Sequence, residues 1–231
     1  MDLKDLLYLP LDIENPPTDF LDHLNNLKFE RLVTDEYRSC YHVPLMFDFK
    51  PGQFTWTPYA FPYKALREWA EDVLFPWTGK SRIMIITTPS GVQNPPHIDC
   101  SKEVFDTTLQ HKFRYVLQGN IDDLYFMTNS GDVQCTSGPD KPFVMSGKWP
   151  HYMTNTSSDT KFTLALGAPW DGSADDKKYV DIIERSSVVY NKYYLSKEDK
   201  QLPDNWEELF EENYTFRQKA ESFSKFLVDK S

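Results

Sequence analysis

The sequence has little of several things that mark common classes of protein. Glycine is scarce, with 9 residues against 16 prolines in 231, and cysteine occurs three times. No apolar run approaches the roughly 20 residues that a membrane helix needs, and residues 1–5 lack the basic and apolar regions of a signal peptide. Three cysteines without metal-ligand spacing are typical of a reducing compartment. We therefore expect a cytoplasmic protein with no membrane-spanning segment.

An excess of basic residues is also missing. The 25 Lys and Arg residues are outnumbered by 35 Asp and Glu, which gives a formal net charge of −10. Binding to nucleic-acid phosphates needs clustered Lys and Arg, so we expect no nucleic-acid partner. The aromatic content of 15% and the hydrophobic content of 40% are instead those of a folded chain that buries a substantial core.

Short apolar runs in the middle of the chain predict the fold class. The runs are rich in β-branched or aromatic residues and are separated by turn residues; they cover 83–88, 113–118, 123–128, 133–136, 142–145 and 161–167. Their short, regular spacing is typical of an antiparallel barrel or jelly roll and not of alternating β-α units. The sequence therefore predicts a mainly β fold with flanking helices, whose β core lies at about 80–170.

Helical patterns lie on both sides of this core. Residues 62–75 start with proline and carry an apolar stripe at helical spacing, and similar patterns occur at 203–210 and 216–227. No internal repeat or low-complexity linker divides the chain. We predict one domain over residues 1–231, in which the segments 1–79 and 175–231 buttress the core.

Three side chains have the residue types and spacing of a metal site. His97 and Asp99 follow the 83–88 run, and in extended backbone residues i and i+2 point to the same side. His151 comes 54 residues later, before the 161–167 run. Two histidines and one carboxylate form the facial triad of non-haem Fe(II) oxygenases, which leaves coordination positions open. Taken singly, each motif also fits a loop hydrogen bond or an ordinary histidine.

A lysine ten residues beyond His151 adds a possible anion site. Alternation along 161–167 places Lys161 and Thr163 on one face of the strand. A lysine that points into a barrel is costly unless it meets an anion. The distal carboxylate of 2-oxoglutarate would supply one, with Thr163 as an added donor. The alternative is an edge strand whose Lys161 points into water.

The stretch from His151 to Leu164 resembles the closing motif of the aspartyl/asparaginyl (and proline) β-hydroxylase-like 2-oxoglutarate oxygenases. In that family the metal histidine is followed by Asn four residues on and by a cofactor-binding Arg ten residues on; these offsets fall on Asn155 and Lys161. Residues 96–99 resemble the proximal metal motif, residues 113–117 an Arg-bearing strand that contains Arg114, and residues 147–151 the approach to the distal histidine. Lysine in place of arginine keeps the charge but loses the bidentate fork.

The resemblance implies a double-stranded β-helix, Fe(II), 2-oxoglutarate as co-substrate, O₂, and hydroxylation of a C–H bond in an amino acid or peptidyl side chain. It implies two groups of site residues: metal ligands His97, Asp99 and His151, and co-substrate residues Lys161, Arg114, Asn155 and Thr163, with Lys112 in reserve. Arg114 could instead orient Asp99, and it fits a structural salt bridge in the sheet equally well; Asn155 also fits a turn.

Three other functions stay open at this point. A cupin-like metal enzyme would keep the metal ligands without using 2-oxoglutarate, and a metal-free jelly roll would act as a binding module. A nucleic-acid demethylase of the same superfamily is disfavoured by the net charge. The sequence predicts a small-molecule or peptidyl substrate without identifying it, and it does not predict an oligomeric state.

Overall fold

Strand pairing organises the chain into two antiparallel sheets. The computed structural model describes residues 3–26, 33–35, 39–50, 52–100, 102–105, 109–134, 138–167, 176–191, 195–196 and 201–210. The strands of this part of the chain are β1 (Leu6–Pro10), β2 (Val33–Asp35), β3 (Cys40–Lys50), β4 (Gln53–Trp56), β5 (Arg82–Thr88), β6 (His111–Gln118), β7 (Leu124–Phe126), β8 (Val133–Gln134), β9 (Phe143–Ser146), β10 (His151–Met153), β11 (Lys161–Gly167) and β12 (Leu195–Ser196).

The larger sheet has the order β12-β1-β9-β6-β11-β5-β3-β2, with β4 paired to β3, and the smaller sheet has the order β10-β7-β8. Isolated bridges from Gln93 to Thr154 and from His97 to His151 add the segment 93–97 to the edge of the smaller sheet, beside β10. Counted from β5 to β11 with the segment 93–97 as the second strand, there are eight strands: the first, third, sixth and eighth lie in the larger sheet and the other four in the smaller one. This alternation is the double-stranded β-helix, or jelly roll, so the predicted fold class is confirmed.

The N-terminal segment contributes more sheet than the sequence analysis predicts. β3 pairs with β5 from Tyr41↔Thr87 to Met46↔Ile83, and β1 pairs with β9. The larger sheet therefore extends well beyond the predicted core at 80–170. The three-residue strand β10 is also absent from the sequence analysis, because its length is too short for alternation to register.

Helices cover the outer face of the larger sheet. The described helices are α1 (Leu21–Asn25), α2 (Lys64–Trp69), α3 (Phe75–Thr78) and α4 (Lys177–Tyr190). The helix predicted at 62–75 is present as α2, a π-helical turn at Ala70–Leu74, and α3. Pro76 lacks an amide hydrogen and sits at the start of α3, where that loss is tolerated. No helix among the described residues is long and apolar enough to cross a membrane.

The C-terminal predictions have different outcomes. The pattern at 203–210 yields only a 3₁₀ turn at Trp206–Leu209. That turn packs near the His97–Asp99 segment, because Ile98 N donates to Leu209 O at 2.8 Å. The helix predicted at 216–227 lies outside the described residues.

Two apolar layers fix the orientation of the larger sheet. Phe162, Leu164 and Leu166 of β11 belong to the core between this sheet and the helices. Val116 of β6 and Phe126 of β7 belong to a second core between the two sheets. The alternate residues of β6 and β11 therefore face the interior of the jelly roll, and these residues carry its polar groups.

Candidate metal centre

The two predicted metal histidines sit on neighbouring strands of the smaller sheet. His97 N donates to His151 O at 2.9 Å, and His151 N donates to His97 O at 3.0 Å. This mutual pairing brings the rings to a centroid distance of 4.6 Å. Asp99 is held next to them because its backbone N donates to Gly147 O at 2.7 Å. Residues far apart in the chain are thus placed together by backbone hydrogen bonds.

In each of the two histidine rings, Nδ1 contacts a backbone carbonyl oxygen. His97 Nδ1 lies 2.8 Å from Pro95 O, and His151 Nδ1 lies 2.8 Å from Trp149 O. A carbonyl only accepts, so each Nδ1 carries a hydrogen, and each Nε2 is the nitrogen left to bind a metal. Carbonyl contacts of this kind orient histidines that bind metals.

The two Nε2 atoms and the Asp99 carboxylate converge. His97 Nε2 lies 3.4 Å from Asp99 Oδ1, and His151 Nε2 lies 3.7 Å from Asp99 Oδ2. One ligand atom from each of the three residues lies within 4.8 Å of the others. Burial, helped by the neighbouring His97, lowers the pKa of His151 to about 3. His151 is therefore neutral at physiological pH, as a metal ligand must be.

Arg114 contacts the metal carboxylate. Its Nη2 lies 3.4 Å from Asp99 Oδ2, while Nη1 donates to Phe113 O at 2.8 Å and to Leu166 O at 3.1 Å. The guanidinium is therefore tied to two strands on one side and faces Asp99 on the other. This geometry favours one of the roles that the sequence allows, a cation that orients Asp99.

Lys161 points into the jelly roll, where only 1% of its surface is exposed. The alternative of an edge lysine in water is therefore wrong. Its Nζ donates to Asn120 O at 2.7 Å and to Thr154 O at 3.3 Å, and it lies 3.6 Å from Asp123 Oδ2. Burial lowers its pKa to about 8, against the opposing effect of Asp123. The buried lysine thus meets an anion, and that anion belongs to the chain itself.

Asp123 is the charged residue that the sequence analysis missed. It lies in a 3₁₀ turn just before β7 and is as deeply buried as Lys161. In sequence it is one of two adjacent aspartates ahead of an apolar run, which is usually a solvated turn. Its pairing joins residues 38 positions apart across two sheets, so no local pattern could have indicated it.

Asn155 occupies the loop that leads into β11. Its Nδ2 donates to Thr88 O at 2.9 Å and to Asp159 O at 2.8 Å. Its Oδ1 accepts from Ser157 N at 3.1 Å and from Ser157 Oγ at 2.6 Å. Both amide hydrogens and the carbonyl are engaged within the protein, and this favours the turn-forming role over contact with a co-substrate.

Thr163 and Lys112 are both buried on interior-facing positions. Thr163 pairs with Val116 in register, on the same face as Lys161. Lys112 Nζ donates to Gln110 Oε1 at 3.3 Å. A Cβ added at Gly147 would lie 2.9 Å from Lys112 Cε and 3.0 Å from Asp99 Cβ. Lys112 therefore stands at the metal end of the interior, whereas Lys161 stands at the opposite end.

The donor set fits a divalent transition metal. Two imidazoles and one carboxylate surround a common point, and ligand atoms about 2 Å from an ion would have separations of this order. The fit to 2-oxoglutarate is only partial. Open positions on the metal would take its chelating end, but Lys161, the predicted partner of its distal carboxylate, is already paired with Asp123.

No family model matches the sequence, and no curated protein matches it either. Among solved structures, an oxidoreductase of the 2OG-Fe(II) oxygenase family from Burkholderia pseudomallei matches with TM-score 0.42 and 12% identity, covering 64% of this chain and 75% of that one. A Pseudomonas putida prolyl-4-hydroxylase matches with TM-score 0.41 and 18% identity, covering 71% and 92%. A Trichoplax adhaerens prolyl hydroxylase, solved with a hypoxia inducible factor peptide fragment, matches with TM-score 0.37 and 17% identity, covering 68% and 72%. Likenesses this low assign no activity, and they do not single out the aspartyl/asparaginyl branch.

Proposed function

We propose that this chain is a non-haem Fe(II) oxygenase that uses 2-oxoglutarate and O₂ to hydroxylate a C–H bond. The observation that carries the proposal is the convergence of His97, Asp99 and His151 within 4.8 Å at one end of a jelly roll. Both imidazoles present Nε2 because their Nδ1 atoms are held by carbonyls. This set of two histidines and one carboxylate is the ligand set of the 2-oxoglutarate oxygenases.

The protein's own groups would set up the site before any ligand binds. His97 and His151 would hold the metal through Nε2, and Asp99 would hold it through its carboxylate, which Arg114 orients. Fe(II) bound there would supply the oxygen chemistry that no side chain can perform. Thr163 and the buried lysines line the interior in which a 2-oxo acid would lie.

The proposed substrate is an amino acid or a peptidyl side chain, and the proposed architecture is one domain over residues 1–231. Continuity of the larger sheet supports the second point, because strands from residues 6–10, 40–50 and 161–167 all belong to it. A separate N-terminal domain would not share a sheet with the metal-bearing core.

Succinate release tests the proposal. The protein is loaded with Fe(II) and incubated with 2-oxoglutarate under air, with panels of free amino acids and peptides. We expect succinate above the no-enzyme background, stimulated by the true substrate class and lost in His151→Ala. A fully metallated protein that releases no succinate, with or without substrate, would contradict it.

A second candidate is a cupin-like metal enzyme that keeps the triad and does not use 2-oxoglutarate. The pairing of Lys161 with Asp123 favours it, because the expected anchor for the distal carboxylate has an internal partner. Anaerobic binding of 2-oxoglutarate to the Fe(II) protein separates the two functions. Absence of binding at millimolar concentration would support the second candidate.

A further inference from the structure

Lys161 and Asp123 form a buried ion pair in the interior of the jelly roll, away from the candidate metal ligands. The ammonium faces three oxygens, Asn120 O, Thr154 O and Asp123 Oδ2, at 2.7, 3.3 and 3.6 Å. An ammonium group has three hydrogens to donate. Two of them are donated to backbone carbonyls, and the ammonium also faces the Asp123 carboxylate at ion-pair distance.

Asp123 does not depend on Lys161 for its position. Its Oδ2 accepts from Thr156 N at 3.0 Å, and its Oδ1 accepts from Thr156 Oγ1 at 2.9 Å. Its backbone O accepts from Thr154 N at 2.9 Å. The carboxylate is thus fixed by the loop between β10 and β11, so it would stay beside the ammonium when a ligand enters.

Lys161 is equally confined. A Cβ added at Gly119 would lie 2.9 Å from Lys161 Cγ and 3.1 Å from its Cβ, and the φ of Gly119 is +105°. The backbone of residue 119 therefore packs directly against the stem of the lysine. This contact limits the conformations open to the near part of the lysine side chain.

Two carboxylates at one buried ammonium repel each other, because like charges are poorly screened where water is excluded. We propose that Asp123 is a specificity-determining residue that weakens the preference for a charged distal carboxylate, so that the site accepts 2-oxo acids with an uncharged far end about as well as 2-oxoglutarate. The inference rests on the proposed function. It concerns the class of co-substrate and leaves the hydroxylated substrate open.

Anaerobic binding to the Fe(II) protein tests the inference without turnover. The two ligands are 2-oxoglutarate and 2-oxopentanoate, which has the same five-carbon chain without the distal carboxylate, and the visible absorption of the Fe(II) chelate reports binding. In the wild type we expect the two dissociation constants to lie within about tenfold, a small difference for a buried charge-assisted contact. A preference for 2-oxoglutarate of about 100-fold or more would overturn the inference.

Asp123→Asn provides the second measurement. The amide oxygen keeps an acceptor for Thr156, while loss of the charge leaves Lys161 free to bind a carboxylate. We expect the preference for 2-oxoglutarate to rise at least about tenfold. Asp159→Asn makes the same charge change at an exposed position of the nearby loop and should leave the ratio unchanged. An unchanged ratio in folded Asp123→Asn overturns the inference; if that variant does not fold, the wild-type ratio decides.

The proposed function would fail in a different way. If neither acid gives a chelate absorption with the wild type, Asp123→Asn or Asp159→Asn, each carrying stoichiometric Fe(II), the oxygenase proposal falls and the inference falls with it. If both acids bind and the Asp123→Asn substitution leaves the ratio of their dissociation constants unchanged, only the inference is overturned.

Discussion

Two carboxylates among the described residues, Asp123 and Asp99, lie in the interior of the jelly roll, and their surroundings differ. Asp123 accepts two hydrogen bonds from Thr156 at 2.9 and 3.0 Å and has a lysine at 3.6 Å. Asp99 has His97 Nε2, His151 Nε2 and Arg114 Nη2 at 3.4, 3.7 and 3.4 Å. Thr156 is close enough to Asp123 for direct hydrogen bonds, and Arg114 donates one to Asp99, whereas the two histidine Nε2 atoms are spaced from Asp99 as if around a shared centre.

This difference distinguishes a carboxylate with a structural role, Asp123, from one suited to binding a metal, Asp99. A buried charge is tolerated when hydrogen bonds and an opposite charge compensate for its lost hydration, and Asp123 meets that condition within the protein. At Asp99 the Nε2 atoms of two histidines converge on the carboxylate beside Arg114, and His151, held neutral by burial, gains nothing by directing a lone pair at an anion. A cation between them would turn this arrangement into a stable one. We therefore expect substitutions of Asp99 and its neighbouring histidines to change metal binding, and substitutions of Lys161 or Asp123 to change the free energy of unfolding.

The largest expected effect is loss of the metal. His97→Ala, Asp99→Ala or His151→Ala removes one of three ligands, and we expect bound iron and activity to fall to background. Iron content after anaerobic loading measures this directly. His23→Ala, at an exposed position of α1, is the matched control and should bind iron like the wild type. Equal iron content in all four variants would contradict the metal centre.

The next effect concerns stability at the opposite end. Lys161→Met leaves the Asp123 carboxylate buried without its cation, and breaking such a pair from one side typically costs about 3–5 kcal/mol. The double variant Lys161→Met/Asp123→Asn removes both charges and should recover most of that loss. Denaturant unfolding of the metal-free proteins measures both values. A single variant as stable as the double one would show that the pair does not act as a buried ion pair.

Local patterns made part of this arrangement predictable. β5 and β11 were predictable because apolar or alternating residues fill them, and alternation correctly placed Lys161 on the interior face. The common orientation of His97 and Asp99 was predictable too, because residues two apart in extended backbone point to the same side. In each case the physical cause lies within a few residues of its effect.

Pairing over long distances was not predictable in this way. The placement of β1 beside β9 and of β3 beside β5 depends on backbone hydrogen bonds between segments that carry no matching signal in sequence. Asp123 as a partner of Lys161 is unpredictable for the same reason, because it reaches the lysine from a distant segment. The offset of Asn155 from His151 favours a co-substrate role, whereas its hydrogen bonds favour the turn that the sequence also allows.

A third expected effect is a pH dependence of stability caused by His111, a buried histidine that is not a predicted metal ligand. His111 lies on the outer face of β6 against Tyr179 of α4, and burial lowers its pKa to about 4. Between about pH 4 and 6.5 the unfolded chain therefore binds a proton that the folded chain does not, so stability falls as the pH drops through this window. The shift corresponds to about 3 kcal/mol at its low end.

The difference between wild type and His111→Gln isolates this contribution from other acid-sensitive groups, His151 included. Glutamine keeps a hydrogen-bonding group near Tyr179 and does not titrate. We expect the variant to lose less stability than the wild type between pH 6.5 and pH 4.5 in denaturant unfolding. Parallel loss in the two proteins would mean that His111 is not held neutral by the fold.

The smallest expected effect tests whether Arg114 serves the metal or the co-substrate. If it orients Asp99, Arg114→Gln should weaken metal binding about 10- to 100-fold, as losses of supporting contacts around metal ligands typically do, and titration with Mn(II) would measure it. Asp123→Asn removes a charge at the other end of the same interior and should leave Mn(II) affinity within about twofold, well below the effect of a supporting contact. Unchanged Mn(II) affinity in Arg114→Gln, with weakened 2-oxoglutarate binding, would assign the guanidinium to the co-substrate instead. The contrast between the two carboxylates would then rest on the histidines alone, because the 3.4 Å contact from Arg114 to Asp99 would have no part in holding the metal.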